Sequence, residues 1–102
     1  MSGAMRMLAG LYRPVESQTP YGGRSVTFEA MGSAWLACGA PRRSERGEGD
    51  ERHAVETMSA ETRDDLRLET GQVLRFSGAD WEIVIVRPLR PGRVGLELER
   101  RR

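Results

Sequence analysis

Lysine is missing from this chain: all sixteen basic side chains are arginine, set against fifteen acids for a formal charge of +1. Two readings of that choice stay open, a GC-rich coding bias or a surface built from forked, bidentate contacts to carboxylates and phosphates. Cysteine is reduced to Cys38, which excludes an intramolecular disulfide and any cysteine-based zinc site within one chain, and fits a reducing compartment. Long apolar runs are also absent. The stretch from Met7 to Tyr12 is too brief for a signal peptide or a membrane span, so the chain reads as unexported and no membrane partner is expected.

The inventory for catalysis is equally thin. His53 is the only histidine and lies beside Glu51 and Arg52, where a solvated side chain is the expected role. Cys38 alternates with apolar neighbours and reads as a small buried hydrophobe rather than a nucleophile. Asp64 and Asp65 are adjacent, which aims their carboxylates in different directions; they suit a turn or cap and lack the partner that general acid/base work needs. The stretch "GEGD" has neither the strand before nor the helix after that a phosphate-cradling loop requires. The sequence therefore predicts no catalytic residue, no cofactor and no metal site.

What is present is β-strand pattern. At 102 residues the chain makes a single domain, 1–102, burying on the order of 60 to 65% of its unfolded surface around one core. A first edge strand from Leu8 to Arg13 is expected to end at Pro14, which has no backbone donor. Glu16 to Gly23 is turn chemistry. In "RSVTFEA", Val26 and Phe28 alternate with Thr27 and Glu29 as in a half-buried strand. "MGS" turns the chain into "AWLACGA", where Trp35 and Ala37 face away from Leu36 and Cys38, so these two runs read as a hairpin. Trp35 and Trp81 are expected to anchor the core, each removing about 150 to 250 Å² from water.

Pro41 to His53 is different in kind. Five of its positions are Arg or His, four are acidic, two are Gly and none is a large apolar residue, so it is expected to be a long solvated loop, the kind that is either functional or disordered. Ala54 to Thr62 fits helical spacing or a strand, and its strand neighbours favour the strand. Asp64 to Gly71 is turn-rich. Val73 to Phe76, Trp81 to Val86 and Val94 to Glu99 follow, joined by the short "SGAD" and "RPG" turns of an antiparallel meander. Val94, Leu96 and Leu98 face inward. Ile83 to Val86 is apolar without interruption, which predicts a strand covered on both faces. Its outward set, Glu82, Val84 and Val86, is covered either by another subunit or by a segment of the same chain.

The fold class is thus mainly β: a small antiparallel β-barrel or sandwich with one long charged loop. An oligonucleotide-binding barrel is one member of that class, but it displays stacking aromatics and a marked basic excess. This chain has six aromatics and interleaves its arginines with acids.

The order "LYRPV", a "GG" turn before "VTF", "AWLACG", an Arg/Glu loop, then "GQVLRFSGADWEIVIV" and a closing "LELERR" resembles the phage head-tail joining proteins, the head-closure or stopper components of long-tailed phages and gene transfer agents. The resemblance runs from about Leu11 to Arg100. It is strongest at Trp35 and at Leu74, Phe76, Gly78, Trp81, Ile83 and Val86. It departs from the family pattern at "RDDLRL", Arg63 to Leu68.

The resemblance implies a structural head-closure protein without enzymatic activity. It implies a homo-oligomeric ring, six copies in the particle, between portal/adaptor proteins and tail terminator or tail tube proteins, with packaged double-stranded DNA in its channel. Such a protein is assembled in the bacterial cytoplasm and ends in the neck of a phage or phage-like particle. On this reading the 41–53 loop is the candidate channel loop. Its Arg42, Arg43, Arg46 and Arg52 meet DNA phosphates or pair with Glu45, Glu48, Asp50 and Glu51 of neighbouring copies. Glu82, Val84 and Val86 are the candidate subunit interface. The alternatives are another connector role, such as tail completion, and a small nucleic-acid-binding β-barrel.

Overall fold

The computed structural model of the chain describes residues 5–47, 49, 52–65 and 67–101. Its elements are seven antiparallel strands: β1 (Met5–Gln18), β2 (Arg24–Cys38), β3 (Arg42–Arg46), β4 (His53–Arg63), β5 (Val73–Phe76), β6 (Ala79–Arg90) and β7 (Arg93–Arg101). The expected meander is there. β5 and β6 are joined through Ser77 and Gly78, both at positive φ, the geometry of a two-residue hairpin turn whose twist matches its strands. β6 and β7 are joined through Pro91 and Gly92, with Gly92 at φ 80°, where proline presets the first turn residue and glycine takes the left-handed second.

The pairings run β2-β1-β5-β6-β7-β4-β3, and β2 also pairs with β4, so six strands close into a ring and β3 hangs on the edge of β4. Closure is short. Ala37 and Cys38 of β2 pair with Glu61 and Ala60 of β4. The Gly39 N–H donates to the Ser59 carbonyl at 2.8 Å, and the buried Thr62 hydroxyl donates to the Trp35 carbonyl at 2.7 Å. A side-chain hydroxyl thus replaces the next rung of a ladder that has begun to splay.

Inside the ring, Leu11, Leu36, Leu74, Ile83, Leu96 and Leu98 are fully buried, with Cys38 and Trp81 also in the core. Phe76 stacks on Trp81 at 6.1 Å between centroids. The inward direction of Val94, Leu96 and Leu98 and the burial of Cys38 agree with the sequence pattern.

Several expectations are overturned. β1 does not stop at Pro14. Its second edge is paired only through Tyr12, with β5; beyond that point one edge is open, and a residue without a donor is tolerated there. β2 is one strand of fifteen residues rather than two strands around an "MGS" turn. The hairpin is β1 with β2, through Thr19 to Gly23, and its distal half extends past the core. This arm carries Val26 and Phe28, each about half exposed and outside the core rather than facing it, and the longest dimension of the molecule is 53 Å.

"MGS" is a bulge. Leu11 pairs with Gly32 but Tyr12 pairs with Ala30, leaving Met31 as the extra residue of β2. A bulge shifts a period-2 pattern by one, so Phe28 and Val26 leave the inward set of Ala34 and Leu36 and join the outward set of Trp35. Arg67 holds this bulge. Its guanidinium donates to the Met31 carbonyl at 2.6 Å and the Ser33 carbonyl at 3.3 Å, and forks onto the Asp65 carboxylate. Gly32, at φ 115°, lies directly beneath: a Cβ there would come within 2.7 Å of the Arg67 guanidinium. Buried Gln72 fixes the loop that presents Arg67, donating to the Arg67 carbonyl and accepting from the Glu69 N–H.

The two tryptophans divide accordingly: Trp81 is 4% exposed and Trp35 is 56% exposed, so only Trp81 anchors the core. Trp81→Ala is expected to cost about 3 to 5 kcal/mol of unfolding free energy, and Trp35→Ala less than about 1 kcal/mol. Urea unfolding of both variants checks this; equal costs would contradict the placement of Trp35.

Candidate assembly surfaces

The expected loop from Pro41 to His53 is drawn in at both ends. Arg42 to Arg46 form β3, in register with His53 to Thr57 of β4. Arg42 and Arg43 are successive strand residues and therefore point to opposite faces. Arg46 pairs in register with His53. Arg52 lies 3.7 Å from Glu45, both side chains largely exposed. The four arginines are thus on one hairpin but are not brought together on one face by the described geometry. Glu48, Asp50 and Glu51, named as their neighbour partners, lie outside the described residues.

The apolar run of β6 also has a different cause from the one expected. Ile83 pairs with Leu98 while Ile85 pairs with Glu97, so Val84 is a bulged residue. The alternation changes phase there: Trp81 and Ile83 point inward before it, Val86 packs on the core after it, and Ile85 turns out to solvent. A strand covered on both faces is not needed to explain four consecutive apolar residues. Of the predicted interface set, Glu82 is exposed, Val84 is half-buried at the bulge and Val86 faces the core. The outward face of β6 is formed instead by Glu82, Ile85, Arg87 and Leu89, with Leu89 lying over Gly95 of β7. Arg87 and Glu97 pair across this face at 3.7 Å.

The outward face of the β1–β2 hairpin was not singled out by the sequence. Leu8 and Trp35 are direct cross-strand partners, as are Pro14 and Phe28, and Glu16 and Val26. Leu8, Trp35, Phe28 and Val26 are each about half exposed. The Arg6 guanidinium lies 5.4 Å from the Trp35 ring centroid, and Arg75 covers Tyr12 at 4.6 Å. The opposite face of the arm is polar, with Arg13 bonded to Glu29 at 2.8 Å and Ser17 to Ser25 at 2.9 Å. The signal that could have found the apolar face is the shared parity of Trp35 with Phe28 and Val26, visible only once the Met31 bulge is counted.

Two concavities flank these faces. One, about 440 Å³, opens at the Met5 and Cys38 end of the hairpin and is lined by Met7, Met58, Phe76 and Trp81, with Arg100 6.0 Å from the Trp81 centroid. The other, about 620 Å³, crosses β4, β7 and β6 over Ser59 and Gly95 beside Leu89. Among the described residues no three His, Cys, Asp or Glu side chains gather as a metal site requires, and no helix is long and apolar enough to cross a membrane. Burial pushes the Cys38 thiol above its usual range, which disfavours the thiolate a nucleophile needs.

The remaining electrostatics stabilise the scaffold. Hydrogen bonding from Arg67 holds the Asp65 carboxyl below its ordinary value, Arg75 does the same for Asp80, and Arg93 together with Arg90 for Glu61.

The fold is shared with a chain of a gene transfer agent particle and with a protein of a phage-like element. No protein-family model matches the chain, and no curated protein matches it. Among solved structures, a chain of the virion of a native gene transfer agent particle superimposes with a TM-score of 0.74 at 20% identity, over 93% of each chain. The protein xkdH of the phage-like element PBSX from Bacillus subtilis superimposes with a TM-score of 0.64 at 6% identity, over 95% of each chain. At these identities the likeness is one of fold, and it extends across nearly the whole of both chains.

Because the folded-state value of Asp65 lies below its free value of 3.8, the contribution of its pair with Arg67 is whole above that pH and is lost as pH falls through the folded-state value. Asp65→Asn should therefore melt below the parent protein at pH 6, and the gap should shrink as pH is lowered past about 4. Thermal circular dichroism at several pH values tests this; a gap independent of pH would show that the charge of Asp65 is not what matters.

Proposed function

We propose that this protein is a head-closure component of a tailed phage or gene transfer agent particle. In this role copies of it form a ring between portal/adaptor and tail, retain packaged DNA and provide the surface on which the tail docks. The observation that carries this reading is the likeness of fold to a gene transfer agent virion chain over 93% of both chains, joined to the sequence pattern of the head-tail joining proteins from Leu11 to Arg100. A protein that works by assembly needs exposed interfaces and no active site. The half-exposed Leu8, Trp35, Phe28, Val26, Ile85 and Leu89 fit that requirement.

On this reading the β3–β4 hairpin, with Arg42, Arg43, Arg46 and Arg52, is the segment turned to the channel, where a ring of guanidiniums meets the phosphate backbone of the DNA. Its arginine and glutamate pairs suit a sequence-independent contact rather than base readout. Six copies is the ring size the family resemblance implies.

Light scattering of the purified protein, alone and with portal and tail components, tests the reading. The expected result is a stable higher-mass complex with those components and negligible affinity for free DNA. A chain that remains monomeric beside every component, and that binds single-stranded DNA in low salt, would overturn it in favour of a nucleic-acid-binding barrel.

A further inference from the structure

The two exposed apolar faces lie on opposite sides of the closed sheet. Going round the ring from the β1–β2 ladder, β5 then β6 follow on one side and β4 then β7 on the other, so the β6–β7 ladder lies across the ring from the hairpin. The hairpin face presents large flat groups, Trp35 and Phe28, with Leu8 beside Trp35. The β6 face presents Ile85, and Leu89 folded over a glycine.

Arg87 on the β6 face is paired with Glu97, which leaves one charge on each face without an opposite partner among the described residues, and the two are of opposite sign. Arg6 sits on the Trp35 ring and has no carboxylate partner among the described residues. Glu82 has no cation partner among them and pairs in register with Glu99 of β7. The two faces complement each other in the sign of that charge and in apolar character.

We propose that these two faces bind each other between copies: the outward face of the β1–β2 hairpin, with Leu8, Trp35, Phe28 and Arg6, docks on the outward face of β6, with Glu82, Ile85 and Leu89, of a second copy of this chain. Because the two patches differ and lie on opposite sides, the contact is head-to-tail. Such a contact repeats until it closes into a ring or extends as a filament. The inference specifies the subunit contact of the ring proposed above and rests on that reading for the ring's place in a particle.

Cysteine cross-linking tests it, with buried Cys38 left in place. Leu8→Cys and Ile85→Cys are made separately and together, and each protein is oxidised at a concentration where light scattering reports self-association of the parent. The expected result is a cross-linked dimer only when the two single variants are mixed, and a ladder of multimers from the double variant. Arg6→Glu should weaken association, and mixing it with Glu82→Arg should restore it.

Self-cross-linking of Leu8→Cys alone would overturn the proposal by showing a two-fold contact. Absence of self-association at any concentration, or capture of these positions by a portal or tail component in place of a second copy, would also overturn it. Either of the last two results, combined with binding to those components, would leave the connector reading intact and remove only this contact.

Discussion

One guanidinium sets the geometry on which the rest depends. Arg67 reaches from the loop after β4 across to the two carbonyls that flank Gly32, and the fork of its own carboxylate partner, Asp65, keeps it aimed. Lysine offers three donors on a flexible stem, whereas this site calls for several donors in one plane. The bulge it holds divides β2 in two. Below it, Ala34 to Cys38 belong to the ring and close it against β4; above it, the strand leaves the core as one side of the arm. The loop that supplies Arg67 is secured in turn by Gln72 and by the 2.8 Å bond from the Ile83 N–H to the Gln72 carbonyl, so the arm, the ring closure and the meander share one junction.

The parts of the fold that were legible in the sequence are those where period-2 alternation runs unbroken. β7 reads correctly because Val94, Leu96 and Leu98 keep one phase to the end, and the β5–β6–β7 meander reads correctly because its turns carry residues suited to them. The errors cluster at two bulges. At Val84 the phase changes inside an apolar run, and four successive hydrophobic residues, which pattern alone assigns to a doubly covered strand, are instead two half-patterns facing alternate sides. At Met31 the same event, marked in the sequence by a glycine and a serine, resembles a turn. A bulge is decided by what approaches the backbone from outside, here a side chain 34 to 36 residues further along the chain, and local pattern contains no trace of that. The candidate arginines suffered from a related limit: composition showed that 41–53 could not enter a core, but it could not show that polar residues pair as β3 on the edge of β4.

The balance of charge has a structural counterpart. Much of the arginine is engaged in pairs on the outside of the sheet, such as Arg13 with Glu29, Arg75 with Asp80, and Arg90 and Arg93 with Glu61. Exposed pairs of this kind contribute little to stability individually. Among the described residues this leaves Arg6, Arg42, Arg43 and Arg63 without a carboxylate partner, and these exceptions are informative. Arg6 on Trp35 is one, and its position on the apolar face is what gives that face a sign.

The Met31 bulge also bears on the open edge of β2. From Arg24 to Leu36 the edge of β2 that faces away from β1 has no partner strand among the described residues, and an uninterrupted edge of that length is a template on which other chains add as strands. The bulge breaks it into two shorter pieces of different phase. A strand docked along one piece loses register at Gly32, where the Arg67 side chain also occupies the sheet surface. The device that turns Phe28 outward therefore also limits open-ended stacking of chains along that edge, and it does so without a proline there.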